Sequence, residues 1–119
     1  MPLVDVLHHR HLLEPLSRGE TGGYRRYDWV QHREADWVEV EPVDLLVLEG
    51  VGAGGGASSA PWVTLLVWVE AARDVRTGRA LERDGLATET QLRAWWQQED
   101  AWFAAERTRE RADLVVPTD

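Results

Sequence analysis

Apolar positions along this chain change their period several times, and each change predicts an element. Leu3, Val6, Leu7, Leu12, Leu13 and Leu16 recur at roughly helical spacing, with Pro15 and Gly19 near the end. They predict a short helix over residues 3–17, closed by the polar turn 17–23. Residues 24–41 alternate in short bursts and are rich in aromatic and β-branched types. That predicts a hairpin of two strands, about 24–30 and 37–41, turning through Glu34-Ala35-Asp36. Asp44-Leu45-Leu46-Val47-Leu48-Glu49-Gly50 then forms an unbroken apolar run between Pro42 and a Gly-rich stretch. A run so short and so bounded reads as a strand buried on both faces, as in a parallel sheet. Chemistry in open α/β sheets sits outside the carboxyl ends of such strands, where Glu49 stands.

The second half repeats the theme. Residues 51–61 are rich in Gly and Ser and read as a flexible surface connection. Residues 62–70 form a second apolar strand ending in a carboxylate. Residues 71–84 predict a helix that Gly85 ends, with Arg76, Arg79 and Arg83 on one face at spacings of three and four. Residues 89–108 predict a longer helix whose buried stripe is Leu92, Trp95, Trp96, Trp102 and Phe103. Glu99 falls on that stripe, so it must be partly exposed or hydrogen-bonded. Residues 112–116 predict a third short buried strand, stopped by Pro117. Strands interleaved with helices indicate a layered α/β domain with a mostly parallel sheet.

Composition narrows the functions open to such a domain. A chain of 119 residues is one domain at most. The net charge of -8 argues against a nucleic-acid or anionic-membrane binder, because nothing attracts the chain as a whole to phosphate backbones. All 13 basic residues are arginine, so lysine-dependent chemistry is excluded. Cysteine is absent, which excludes disulfides, Cys-based metal sites and thiol nucleophiles. No signal-peptide pattern is visible, and the longest apolar run is far too short to span a bilayer. A cytoplasmic protein is the expectation.

Each candidate for chemistry has a plainer alternative. His8, His9 and His11 invite a metal site, but only His8 and His11 share a helix face and no carboxylate completes a set, so a solvated face is expected and no metal ligands are assigned. Tyr27 and Trp29 project from one strand face, with Asp28 on the other. They form either an aromatic cross-strand cluster or a wall for a flat ligand such as a nucleobase, and spacing favours the cluster. The glycines after Gly50 are not a P-loop, since no G-x-x-x-x-G-K-[ST] occurs and Pro61 closes the segment. Three arginines on one helix face are a solvated face or a clamp for phosphate oxygens, and periodicity alone favours the former.

Four segments together carry a family resemblance. Tyr27-Asp28-Trp29 with His32, Pro42 with Asp44 to Glu49-Gly50, Asp74-x-Arg76-x-x-Arg79-x-x-x-Arg83-Asp84, and Ala112-Asp113-Leu114-Val115-Val116-Pro117 follow one another in order. The succession resembles the C-terminal part of uridine kinase-like P-loop nucleoside kinases from about residue 13 onward. The fold so implied is a single, incomplete P-loop nucleoside-kinase-like domain over residues 1–119. It is a partial three-layer, Rossmann-like α/β arrangement with a mostly parallel sheet, a nucleoside-site hairpin at 24–41 and an arginine-bearing lid at 72–88.

The resemblance also implies roles. Tyr27 and Trp29 pack on base and ribose, and His32 hydrogen-bonds the base. Glu49 faces phosphates and Mg2+, and Arg76, Arg79 and Arg83 neutralise the transferring phosphoryl group. The cofactors implied are ATP and Mg2+, and the substrate a nucleoside or similar small hydroxyl compound. The Walker loop and lysine, and the strand bearing the general-base aspartate, have no counterpart in the sequence. In this fold the P-loop strand lies between the strands matched by 44–49 and 63–70, so its absence removes the middle of the sheet. Ala80 replaces an arginine often present in the lid. A truncated kinase inactive alone, a non-catalytic nucleoside or nucleotide module, and a homo-oligomer associating through exposed strand edges are the functions left open.

Overall fold

A computed structural model describes residues 9–28 and 30–119 of the chain. It is mixed α/β and divides after Trp62 into two compact units. The predicted Trp29, and His8 of the histidine group, lie outside the described residues. No described helix is long and apolar enough to cross a membrane.

The first unit opens with a π-helical turn, His9–Leu13, that runs into helix α1, Glu14–Ser17. Pro15 in the first helical turn costs no hydrogen bond there, and its carbonyl accepts the Arg18 and Glu20 amides at 3.0 Å as the helix ends. Leu12 and Leu13 are the buried large apolar side chains among the described residues. Strand β1, Gly22–Asp28, lies close against this turn. A Cβ on Gly22 would stand 2.9 Å from the carbonyl oxygens of His11 and Leu12, so only glycine permits the approach.

Strand β2, Arg33–Val40, pairs antiparallel with β1 from Gly22 opposite Val40 to Asp28 opposite Arg33. A bulge between Arg25 and Tyr27 breaks the register. The hairpin is where the sequence places it, but its turn is not at 34–36, which lie within β2. The reversal falls between Asp28 and Arg33, because Asp28 Oδ1 accepts the Val30 and Gln31 amides at 2.9 and 3.0 Å, an Asx-type turn. His32 closes it with a φ of 52°.

The expected strand at 44–49 does not form. Residues 41–50 hold no regular secondary structure and are exposed throughout, with Leu45 80% and Val47 77% accessible. A strand apolar on both faces needs neighbours at its edges and layers on its faces. Among the described residues no strand pairs with it. The Gly-rich stretch is, conversely, more ordered than a flexible connection. Ala53 bonds back to Gly50 and Gly55 to Gly52, and a 3-10 turn, Ala57–Trp62, follows with Ser59 fully buried and its hydroxyl on the Gly56 carbonyl at 2.8 Å.

The second unit is built on a parallel pair, β3, Val67–Glu70, and β4, Leu114–Pro117. The strand expected from residue 62 thus begins only at Val67, because Pro61 sits within the preceding 3-10 turn. Helices α2, Arg73–Asp84, α3, Glu89–Glu106, and α4, Thr108–Arg111, form the crossover. The Gly85 amide caps α2 on the Leu81 carbonyl at 2.7 Å. Arg107, at a φ of 52°, breaks the predicted 89–108 helix two residues early. Trp68 meets Phe103 of α3 edge-on at 4.8 Å, so α3 covers the face of β3 that carries Trp68 and Glu70. The other face, with Val67 and Val69, is exposed, as is β4 along its length. The third strand therefore exists but is not buried. The Leu92 to Phe103 stripe is half-buried, and Glu99 is its deepest member.

Candidate functional site

Each unit carries one set of candidate residues. In the first, Tyr27 and His32 stand at opposite sides of the hairpin turn that Asp28 holds. Tyr27 pairs across the ladder with Glu34 and is half-buried, whereas His32 is exposed. A turn fixed by two amide bonds to one carboxylate is a firm base for an aromatic and an imidazole. Glu49 lies in the same unit, exposed in the irregular stretch before Gly50. It does not end a strand, the setting that its implied role requires.

In the second unit, Arg76, Arg79 and Arg83 share helix α2 and are exposed. Helix period brings them to one face, as their spacing requires. Arg79 donates to the Thr118 carbonyl at 2.7 Å, tying α2 to the residue after β4. Arg83 grips its neighbour Asp84 through Nε and Nη2 at 2.9 and 2.7 Å, which holds the Asp84 carboxyl below its ordinary range. Arg73, one turn earlier on the same helix, pairs with Asp100 of α3.

Glu70 is not among the residues that sequence pattern alone singles out for a role. It occupies the carboxyl end of a strand that does form, β3. Arg109 donates to it through Nε at 2.8 Å and Nη2 at 3.1 Å, and the Trp68 indole donates at 2.8 Å. These bonds, Arg109 foremost, hold its carboxyl below the usual range, with the charge of Arg76 adding to them. A signal exists in the sequence: an apolar run ending in Glu occurs twice, at 44–49 and at 65–70, and only the second is paired. Glu99, the acid on the apolar stripe of α3, is buried. Loss of water pushes its carboxyl up, opposed by a hydrogen bond from Trp95 and by the charge of Arg76.

Chemically, the arginine face of α2 suits oxygen-rich anions, since guanidinium groups present planar donors to phosphate. Among the described residues no group of three or more His, Asp or Glu could hold a metal ion. With no lysine and no Walker segment in the sequence, the groups that hold Mg2+ in a P-loop are not among these residues.

The family model described as phosphoribulokinase / uridine kinase matches residues 6–118. A uridine kinase of Halobacterium salinarum is 31% identical, over 88% of this chain and 50% of that protein. Those of Mycoplasma pneumoniae and Borrelia hermsii are 27% and 29% identical, over 88% and 76% of this chain and 52% and 48% of theirs. The chain spans about half the length of the curated relatives it matches. With a family match running nearly end to end, this chain belongs to the phosphoribulokinase / uridine kinase family.

Proposed function

We propose that this chain supplies the acceptor-binding and phosphoryl-clamping part of an ATP-dependent uridine kinase-like phosphotransferase. The observation that carries the reading is the arginine ladder of α2 within a chain matched to the family over residues 6–118. In it, Tyr27 and Trp29 pack on the base and ribose of a nucleoside, and His32 hydrogen-bonds the base. Arg76, Arg79 and Arg83 offset charge on the phosphoryl group as it moves, and Glu49 faces the phosphates. Residues 1–119 act as one incomplete kinase-like domain, with the 24–41 hairpin at the nucleoside and 72–88 as the lid. The phosphate-binding loop and the central strand of a three-layer sheet come from sequence other than these residues. The open faces of β3 and β4 and the exposed Val43–Leu48 run are the surfaces that such a layer would cover.

The test is ATP-dependent phosphate transfer to uridine by the chain alone and by the chain joined after a segment bearing G-x-x-x-x-G-K-[ST] from a relative. Transfer only in the joined protein supports the proposal. A folded joined protein that binds ATP but transfers nothing overturns it. If the isolated chain instead self-associates through its strand edges and ignores nucleosides, sedimentation and tryptophan titration will say so, and the structural reading takes its place.

A further inference from the structure

Where an arginine of this protein grips a carboxylate at two points among the described residues, it uses one edge. Arg83 on Asp84, Arg93 on Glu89 and Arg109 on Glu70 each donate through Nε together with Nη2. Arg79 of α2 is held differently. Its Nη2 donates to the Thr118 carbonyl at 2.7 Å, and its Nη1 stands 3.5 Å from the Thr118 hydroxyl oxygen. The far end of this exposed guanidinium therefore faces Thr118. Its Nε, and with it the Nε–Nη2 edge, meets no acid among the described residues.

The second difference is charge. A carbonyl orients a guanidinium without neutralising it, whereas Asp84 and Asp100 face Arg83 and Arg73 with opposite charge. The Asp119 carboxylate beside Thr118 is taken by the Ala72 amide at 2.6 Å, where α2 starts without a cap from its own N-cap side chain. Thr118 itself is fixed at the end of β3. Its amide and its hydroxyl both donate to the Glu70 carbonyl, at 2.8 and 3.0 Å. Ala72 and Arg79 lie about two helical turns apart, so residues 118–119 hold α2 at two points along its length.

We propose that Thr118 is a positioning residue for Arg79: it anchors the two outer nitrogens and leaves a charged, oriented Nε–Nη2 edge for an oxyanion. Two oxygens on one centre fit that edge as carboxylates fit the same edge of Arg83 and Arg109. The side chain is ordered before the ligand arrives, so binding costs less of its freedom. That the oxyanion is a phosphoryl group rests on the function proposed above; the anchoring does not.

The test uses the full chain with sulfate, a dianion of fixed charge near neutral pH, and reads the arginine side chains by nitrogen-15 NMR. In the unaltered chain the anchored guanidinium of Arg79 should give distinct Nη1 and Nη2 signals, and sulfate should shift its Nε–H saturably. The Arg83 Nε–H, held by Asp84, should respond only at higher sulfate. Thr118→Val keeps a branched side chain at this exposed position but removes the hydroxyl that fixes Thr118 on Glu70. It should merge the two Nη signals and weaken sulfate binding roughly two- to tenfold, the scale of ordering one long side chain. Thr118→Ser returns the hydroxyl and should return both readouts to the parent level. Sulfate binding to Thr118→Val that matches the parent overturns the proposal, and tighter binding does so too, since the contact would then restrain Arg79. Averaged Nη signals in the unaltered chain, or a sulfate response at Arg83 that precedes the one at Arg79, overturn it without any variant. No readout needs ATP or nucleoside. A joined kinase that transfers nothing removes the proposed function and leaves the anchoring, whereas one that is active with Thr118 idle removes only the role of Thr118.

Discussion

Arg109 approaches Glu70 side-on, with its Nε 2.8 Å from one carboxylate oxygen and its Nη2 3.1 Å from the other. This two-point contact joins the helix after the Arg107 break to the end of β3. It is also the strongest influence on Glu70, whose carboxyl it holds below the ordinary range.

A pH dependence follows from that depression. A carboxyl that is more acidic folded than unfolded adds stability above its unfolded value, near pH 4.3, and the contribution is lost as pH falls through the lowered folded value. The pair is solvent-exposed, so the effect is small. In Arg109→Gln the Glu70 midpoint, followed by carbon-13 NMR, should rise toward that of a free glutamate. An unchanged midpoint would assign the depression to Trp68 instead.

Two glycine substitutions should move stability in opposite directions. Gly22→Ala places a methyl group 2.9 Å from two carbonyl oxygens of the π-helical turn, so backbone must shift, at a cost of about 1–3 kcal/mol. Gly78 lies inside α2 with nothing within 4 Å of an added Cβ, and alanine there should stabilise by about 0.5–1 kcal/mol. Urea denaturation of the two variants checks both signs.

Thr108 is buried, and its hydroxyl is the buried side-chain polar atom without a partner among the described residues. Valine keeps the shape and removes the unmet hydroxyl, so Thr108→Val should leave stability unchanged or raise it by up to about 1 kcal/mol. A thermal midpoint clearly below the parent would mean that the hydroxyl is bonded in solution.

Within the joined kinase, the three arginines proposed to clamp the phosphoryl group should not be equivalent. Arg83 is held by Asp84 and Arg79 by Thr118, while Arg76 makes no side-chain ion pair or hydrogen bond among the described residues. Arg76→Gln should therefore lower kcat most, by roughly 10²–10³ if it meets the moving phosphoryl group. Arg83→Gln should have the smallest effect. Steady-state kinetics with uridine and ATP rank the three, and equal losses would argue that the resting contacts do not persist in the complex.

The elements legible in the sequence are those whose cause is local. Helix α2 carries its period and its terminal Gly85 in its own residues, and the hairpin carries its β-rich alternation. The turn lies a few residues from its expected place because Asp28 suits either a strand or a turn, and only the geometry of its two amide contacts decides. Asp44–Glu49 departs from expectation for a different reason. An apolar run states what a segment needs on both sides, not whether neighbours are present to meet the need. Glu49 and Glu70 end similar runs, yet among the described residues only Glu70 finds a paired strand and an arginine, and Arg109 lies 39 residues away from it. No local pattern encodes a contact across that distance.

The β3–β4 pair also sets an order of events as the chain folds. The hairpin closes across a turn of a few residues, a step of about 1–10 μs. The parallel pair is sealed by the Leu66 amide on the Asp113 carboxylate, across 47 residues of chain. That closure must wait until the intervening helices have shortened the path, so its entropy cost falls late. Nascent protein should thus display a formed hairpin and helices while Val67 to Glu70 still lacks its partner strand, and the last amides to gain protection from exchange should be those of Asp113, Leu114 and Thr118.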